Sequence, residues 1–251
     1  MSFVFFYGPS NTSSAEYLLD MSTIDQAPVA PTADTQAVWY VWTKIVKSAA
    51  REQIPTVKQA FLPPSVRIYA PYYSQAPDGR WELPRSMFCS EANLVLAAYA
   101  ISGKPLTKEQ FKNDMREMME IQQESFGTYF SVPMHDLKAV YDTMYPKIGS
   151  SRILEQPTLN DIKQQLAKGS LVIVPTAGRL LDNPFFYGNG PRFHTILIVW
   201  YDDRYFYVNE VGMTGWENYR YTHDTVMYAM HDFVAQGDIT QWEKLVMVID
   251  R

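Results

Sequence analysis

The sequence predicts an α+β domain, with helices first and an antiparallel sheet second. Apolar residues recur at helical spacing between about residues 89 and 167, and from residue 171 onward the period changes to 2. A chain of 251 residues with 47% apolar and 20% charged residues can bury one sizeable core, as one large domain or one domain plus an arm.

Residues 1–34 are irregular and end in the Pro-spaced stretch Ala27-Pro-Val-Ala-Pro-Thr-Ala-Asp34, which reads as an arm or linker. Val38, Trp39, Trp42, Ile45 and Val46 then recur at helical spacing, predicting a helix over about residues 35–50. Residues 66–71 read as a short strand running into a loop over residues 72–84. After Cys89, the residues Ala92, Leu94, Val95, Leu96, Ala97, Ala98 and Ile101 make a nearly all-apolar helix that Gly103 can close. A helix apolar all round is a central, buried one.

Thr107-Lys-Glu-Gln110 fits a capping box ahead of a helix carrying Phe111, Met115, Met118 and Met119 on one face. Ser131-Val-Pro133 can begin a third helix, and residues 158–167 form a fourth with Gly169 as its stop. Residues 171–174 and 193–201 read as strands, separated by a loop rich in Gly, Asn, Pro and aromatic residues. Asp202-Asp-Arg makes a turn, and residues 205–210 form the hairpin partner. Thr222 can cap a helix through about residue 234, and residues 245–249 give a last strand. The organisation expected is an arm and helix over 1–65 and one domain over 66–251.

The formal net charge is −5 with no Lys/Arg cluster, so nothing marks a nucleic-acid or anionic-membrane partner. No apolar run approaches the ~18–20 residues of a membrane span. Met1-Ser-Phe-Val-Phe-Phe is too short and lacks the basic flank of a signal peptide, so compartment and oligomeric state stay open. One cysteine excludes an internal disulfide and a multi-thiolate zinc site. Asp202-Asp203 reads as turn chemistry, the histidines lack ligand spacing, and no Gly-rich phosphate cradle is present, so neither metal nor cofactor is expected.

A lone cysteine is either a small core residue or a reactive thiol. Cys89 falls where a proline-bearing loop ends and the apolar helix begins, and a helix N-terminus stabilises the thiolate through its unpaired amides. Position alone leaves both readings open. A nucleophilic cysteine needs a base, and the chain has four histidines. His135 sits in a helical first turn, while His223 and His231 read as surface or helix-dipole residues. His194 differs because it opens the most apolar strand, Thr195-Ile-Leu-Ile-Val-Trp200, where a polar ring needs a partner. The far end of the hairpin strand returns beside it, so Asn209 or Glu210 can accept the ring Nδ1–H, and strand alternation allows only one. Gln75, in the loop before the Cys89 helix, is suited by its amide to an oxyanion hole alongside the nucleophile's own N–H.

Several segments in order resemble one family. Ser74-Gln-Ala-Pro, Trp81-x-Leu-Pro84 and Phe88-Cys-Ser-Glu-Ala-Asn93 resemble the entry segment of the bacteriocin-leader-peptidase-like group of papain-fold cysteine peptidases. Lys168-Gly-x-Leu-Val-Ile-Val-Pro175, Gly190-Pro-x-x-His194, Tyr201-Asp-Asp203, Val208-Asn-Glu-Val-Gly212 and Glu217-Asn-Tyr-Arg-Tyr221 are similar to later segments of the same group. The resemblance spans about residues 66–234. It implies a papain-like fold, with the nucleophile helix packed on an antiparallel sheet, and places Cys89, His194 and Gln75 on the family's catalytic positions. The family's third member is usually Asp in an Asn-Asp-Pro-Gly segment, which here is Asn209-Glu-Val-Gly212, so Glu210 takes that position and the proline is lost. The common Cys-Glu-Glu-Ala-Ser segment is also altered, to Cys-Ser-Glu-Ala-Asn.

The activity this implies is hydrolysis of a peptide or isopeptide bond in a peptide or protein substrate through a thioester. The alternatives are acyl transfer to an amine at the same site, or a peptide-binding module that has lost catalysis. The aromatic run Phe185-Phe-Tyr187 is a candidate lid or substrate wall.

Overall fold

The computed structural model describes residues 62–251, so the expected arm and the helix over 35–50 lie outside the described residues. Within them the order is mixed helix and antiparallel sheet, as the change of period predicts. The strands are β1 (Val66–Arg67), β2 (Ser150–Glu155), β3 (Leu171–Thr176), β4 (His194–Tyr201), β5 (Tyr205–Asn209), β6 (Tyr219–Thr222) and β7 (Leu245–Asp250). They form one sheet in the order β2-β7-β3-β4-β5-β6, and β1 pairs with the far end of β4 through Val66↔Tyr201 and Arg67↔Trp200. The central strands β3, β4 and β7 are buried along nearly their whole length, which is why they read as continuous apolar runs.

The helices are α1 (Cys89–Ser102), α2 (Lys108–Phe126), α3 (Met134–Met144), α4 (Leu159–Ala167) and α5 (His223–Ala229). Helix α1 packs on both β4 and α2, and its Leu94 and Leu96 are fully buried, each contributing about 1.5–3 kcal/mol. Gly103 ends it in the left-handed conformation at φ 67°, which a residue without Cβ adopts freely. Thr107 caps α2 by accepting from the Gln110 amide, but Gln110 turns its own side chain to Asp114, so only half of the capping box forms. The reciprocal box is at α4, between Thr158 and Asp161. Helix α3 is capped from a distance: its Met134 amide donates 3.0 Å to the Asp232 carboxylate.

The structure departs from the sequence reading in several further places. Strands β2 and β6 were not expected; they are the sheet edges, half exposed, and lack a clean alternating stripe. The late helix stops at Ala229 rather than near residue 234, because the chain turns to bridge Met230 to Thr176 and to donate the His231 amide to the Pro175 carbonyl. His223 and His231 are buried rather than surface residues: His223 packs edge-on to Phe206, and His231 donates from Nδ1 to the Trp242 carbonyl. The hairpin strand ends at Asn209, leaving Glu210 just beyond the ladder.

Candidate active site

Cys89 is the first residue of α1, and no side chain caps that end, because Phe88 occupies the capping position. The thiol thus sits at the positive end of the helix dipole. Two polar residues near the start of this mostly apolar helix, Ser90 and Asn93, tie it to the strand carrying His194. Ser90 Oγ lies 2.9 Å from Thr195 Oγ1. Asn93 Nδ2 donates to the Cys89 carbonyl at 2.9 Å and to the Thr195 carbonyl at 2.6 Å. These bonds fix the start of α1 against the start of β4, and so Cys89 against His194, 105 positions apart in the chain. The sequence reading gave Ser90 and Asn93 no role, although polar side chains in an all-apolar helix are the signal for one.

His194 is 3% exposed, and its ring Nε2 lies 2.7 Å from Glu210 Oε1. The nitrogen engaged is thus Nε2 rather than the Nδ1 expected. Burial alone would lower the pKa of His194, but the Glu210 charge, the ring's hydrogen bond to that carboxylate and the nearby Cys89 outweigh it and hold the imidazolium well above its usual range.

The choice between Asn209 and Glu210 follows from register. A bulge between Ile198 and Trp200 shifts the β4–β5 ladder, so Asn209 pairs with Leu197. Alternation then puts Asn209 on the face of Leu197, and Glu210 on the face of Ile196 and His194. Asn209 instead donates 2.9 Å to the Pro71 carbonyl. The wholly buried Glu210 carboxylate is held at both oxygens: Oε1 also accepts from the Gly212 amide at 2.9 Å, and Oε2 accepts from Tyr221 Oη at 2.8 Å. Tyr72 secures the segment that follows, donating 2.5 Å to the Met213 carbonyl and accepting 3.1 Å from the Trp216 amide. Gly212 and Tyr221 were singled out only as parts of motifs, with no role assigned.

Gln75 is buried in the loop before α1, with its amide donating 2.9 Å to the Val211 carbonyl and its Nε2 donating 3.0 Å to the Arg85 carbonyl. The second Nε2 hydrogen remains available. Gln75, Cys89 and His194 line one cleft of about 560 Å³, together with Trp81, Met87, Phe186 and Tyr187. Phe186 meets the His194 ring edge-on at 5.3 Å, while Phe185 turns away and stacks on Trp216. Asp202 does what a turn residue does, accepting from the Arg204 and Tyr205 amides. Among the described residues no group of three or more His, Cys, Asp or Glu is placed to hold a metal ion, and no helix is long and apolar enough to cross a membrane.

No family model and no curated protein matches the chain. Among solved structures, it is similar to a Bacillus anthracis crystal structure provisionally described as a C39-like peptidase. The TM-score is 0.50 at 14% identity, over 74% of this chain and 98% of that one. At that identity the likeness concerns the fold alone: the chain has a C39-like, papain-like α+β fold.

Proposed function

We propose that the chain is a cysteine hydrolase of peptide or isopeptide bonds, with Cys89 as nucleophile, His194 as base, Glu210 as the acid that orients it, and Gln75 in the oxyanion hole. The observation that carries this reading is the buried His194–Glu210 pair beside a thiol at an uncapped helix start. The shared fold and the ordered sequence motifs add to it.

In this reading His194 takes the proton of Cys89 and is stabilised as imidazolium by Glu210. The thiolate attacks the scissile carbonyl, and the oxyanion is met by the Cys89 amide and the free hydrogen of Gln75 Nε2. His194 then protonates the leaving amine, and water, activated by the same ring, releases the acyl group from sulfur.

The test is alkylation of the single cysteine. At pH 6 iodoacetamide should modify Cys89 at least about tenfold faster than free cysteine, whose thiol titrates near 8.5. Labelling no faster than the free amino acid would sink the reading.

Gly212→Ala should damage the same arrangement without unfolding the chain. A Cβ there would lie 3.0 Å from Glu210 Oε1, 3.1 Å from His194 Cε1 and 3.2 Å from Phe186 Cε1. Separating an acid from its base by a few tenths of an ångström lowers turnover by about tenfold or more. The expected result is a tenfold fall in kcat/KM on a hydrolysed peptide with a melting temperature within a few degrees of wild type.

A further inference from the structure

Tyr221 lies on the edge strand β6, 4% exposed, and contributes nothing to the cleft wall. Its hydroxyl nonetheless sits in the middle of a hydrogen-bonded chain that reaches the candidate base. The phenol donates 2.8 Å to Glu210 Oε2 and accepts 2.7 Å from Asn183 Nδ2. Asn183 is itself pinned, since its Oδ1 accepts 3.0 Å from the Phe185 amide. Because the Asn183 Nδ2 group can only donate, the phenol hydrogen is left to point at the carboxylate.

We infer that Tyr221 is a positioning residue that acts through Glu210, fixing the longer acid so that it holds His194 in the orientation Cys89 needs. This rests on the proposed cysteine hydrolase reading and goes beyond it. Glu has one more rotatable bond than Asp, so a carboxylate anchored at one oxygen could swing away from the ring. Oε1 is shared by His194 and the Gly212 amide, and Oε2 has Tyr221. Without the phenol, Oε2 would be a buried carboxylate oxygen with no donor, which is costly in a wholly buried site. Burial and the neighbouring Glu210 charge push the phenol far above its ordinary range, so it remains a donor at any working pH.

The experiment is the pH dependence of iodoacetamide alkylation of Cys89 in the full chain, which needs no substrate. Wild type should be alkylated at pH 6 at least about tenfold faster than free cysteine. Tyr221→Phe should move the midpoint of the profile up by about one pH unit relative to wild type, because a loosely held Glu210 stabilises imidazolium less. In a Glu210→Gln background, adding Tyr221→Phe should change the rate less than about twofold, since Tyr221 acts through that carboxylate. A purely structural role would lower the melting temperature and leave the midpoint in place.

An unchanged midpoint in Tyr221→Phe, or an equal shift in the Glu210→Gln background, overturns the inference while wild type still reacts faster than free cysteine at pH 6. A wild type alkylated no faster than free cysteine removes the hydrolase reading itself, and this inference with it. Should Tyr221→Phe not fold, Asn183→Ala carries the test by freeing the phenol from its second partner. About threefold slower alkylation at pH 6 is then expected, and no change overturns the inference.

Discussion

Glu210→Ala should lower kcat/KM by about 10³-fold on any peptide the wild type hydrolyses, while Asn209→Ala should lower it less than about tenfold. The two side chains are neighbours in the chain but face opposite sides of the sheet edge. Glu210 bonds the His194 ring at 2.7 Å in a site from which water is excluded, whereas Asn209 bonds the Pro71 carbonyl at 2.9 Å. Losing the carboxylate releases the ring and removes the charge that favours imidazolium. Losing the Asn209 amide removes one hydrogen bond and leaves a carbonyl short of a donor, an effect of about 1 kcal/mol on stability. Glu210→Asp should fall between them. A side chain one methylene shorter cannot reach both His194 and Tyr221, even though Asp is the acid that the resembled family usually carries. The reverse ranking of the two alanine variants would reassign the third member of the site.

The second large effect concerns stability. Glu91, two residues after Cys89, is 1% exposed; its Oε1 accepts from Gln122 Nε2, and its Oε2 is without a partner among the described residues. Burial raises its pKa from 4.5 to about 7, and the Gln122 hydrogen bond offsets only part of that. A carboxyl that titrates higher when folded favours the folded state while it is protonated. Its contribution is complete below about 4.5 and is lost as pH rises through about 7, a difference of roughly 3 kcal/mol. Glu91→Gln removes the titration and keeps the shape, so its urea midpoint relative to wild type should rise between pH 5 and pH 8. The gap at pH 8 should be larger by about 2–3 kcal/mol. Every other titrating group is common to both proteins, so a gap that does not change with pH would show that Glu91 is not buried as the structure has it.

Of the fold, the interior was legible. Helix α1 and strands β3, β4 and β7 are buried on nearly every side, and a segment buried on every side is predominantly apolar. The edge strands β2 and β6 were not legible for the converse reason. Their backbones pair with β7 and β5, yet side chains such as Arg152 and Arg220 meet solvent, so no stripe betrays them. His223 and His231 read as surface residues because what buries them, Phe206 and the Trp242 backbone, comes from other elements.

The candidate site divides the same way. The sequence by itself determined the residue types and their local settings: a thiol at the start of an apolar helix, an imidazole at the start of an apolar strand, and two polar residues at the end of its hairpin partner. Those depend on composition and on periods of a few residues, which a linear pattern records. Only the tertiary structure decided that Ser90 and Asn93 dock the helix start on Thr195, that Glu210 rather than Asn209 meets the ring, that it does so at Nε2, and that Tyr221 holds it there. The choice of Glu210 turns on the bulge in β4, and the others on contacts between segments more than ten residues apart. A one-residue change of register exchanges the two faces of a strand, and no local pattern carries that information.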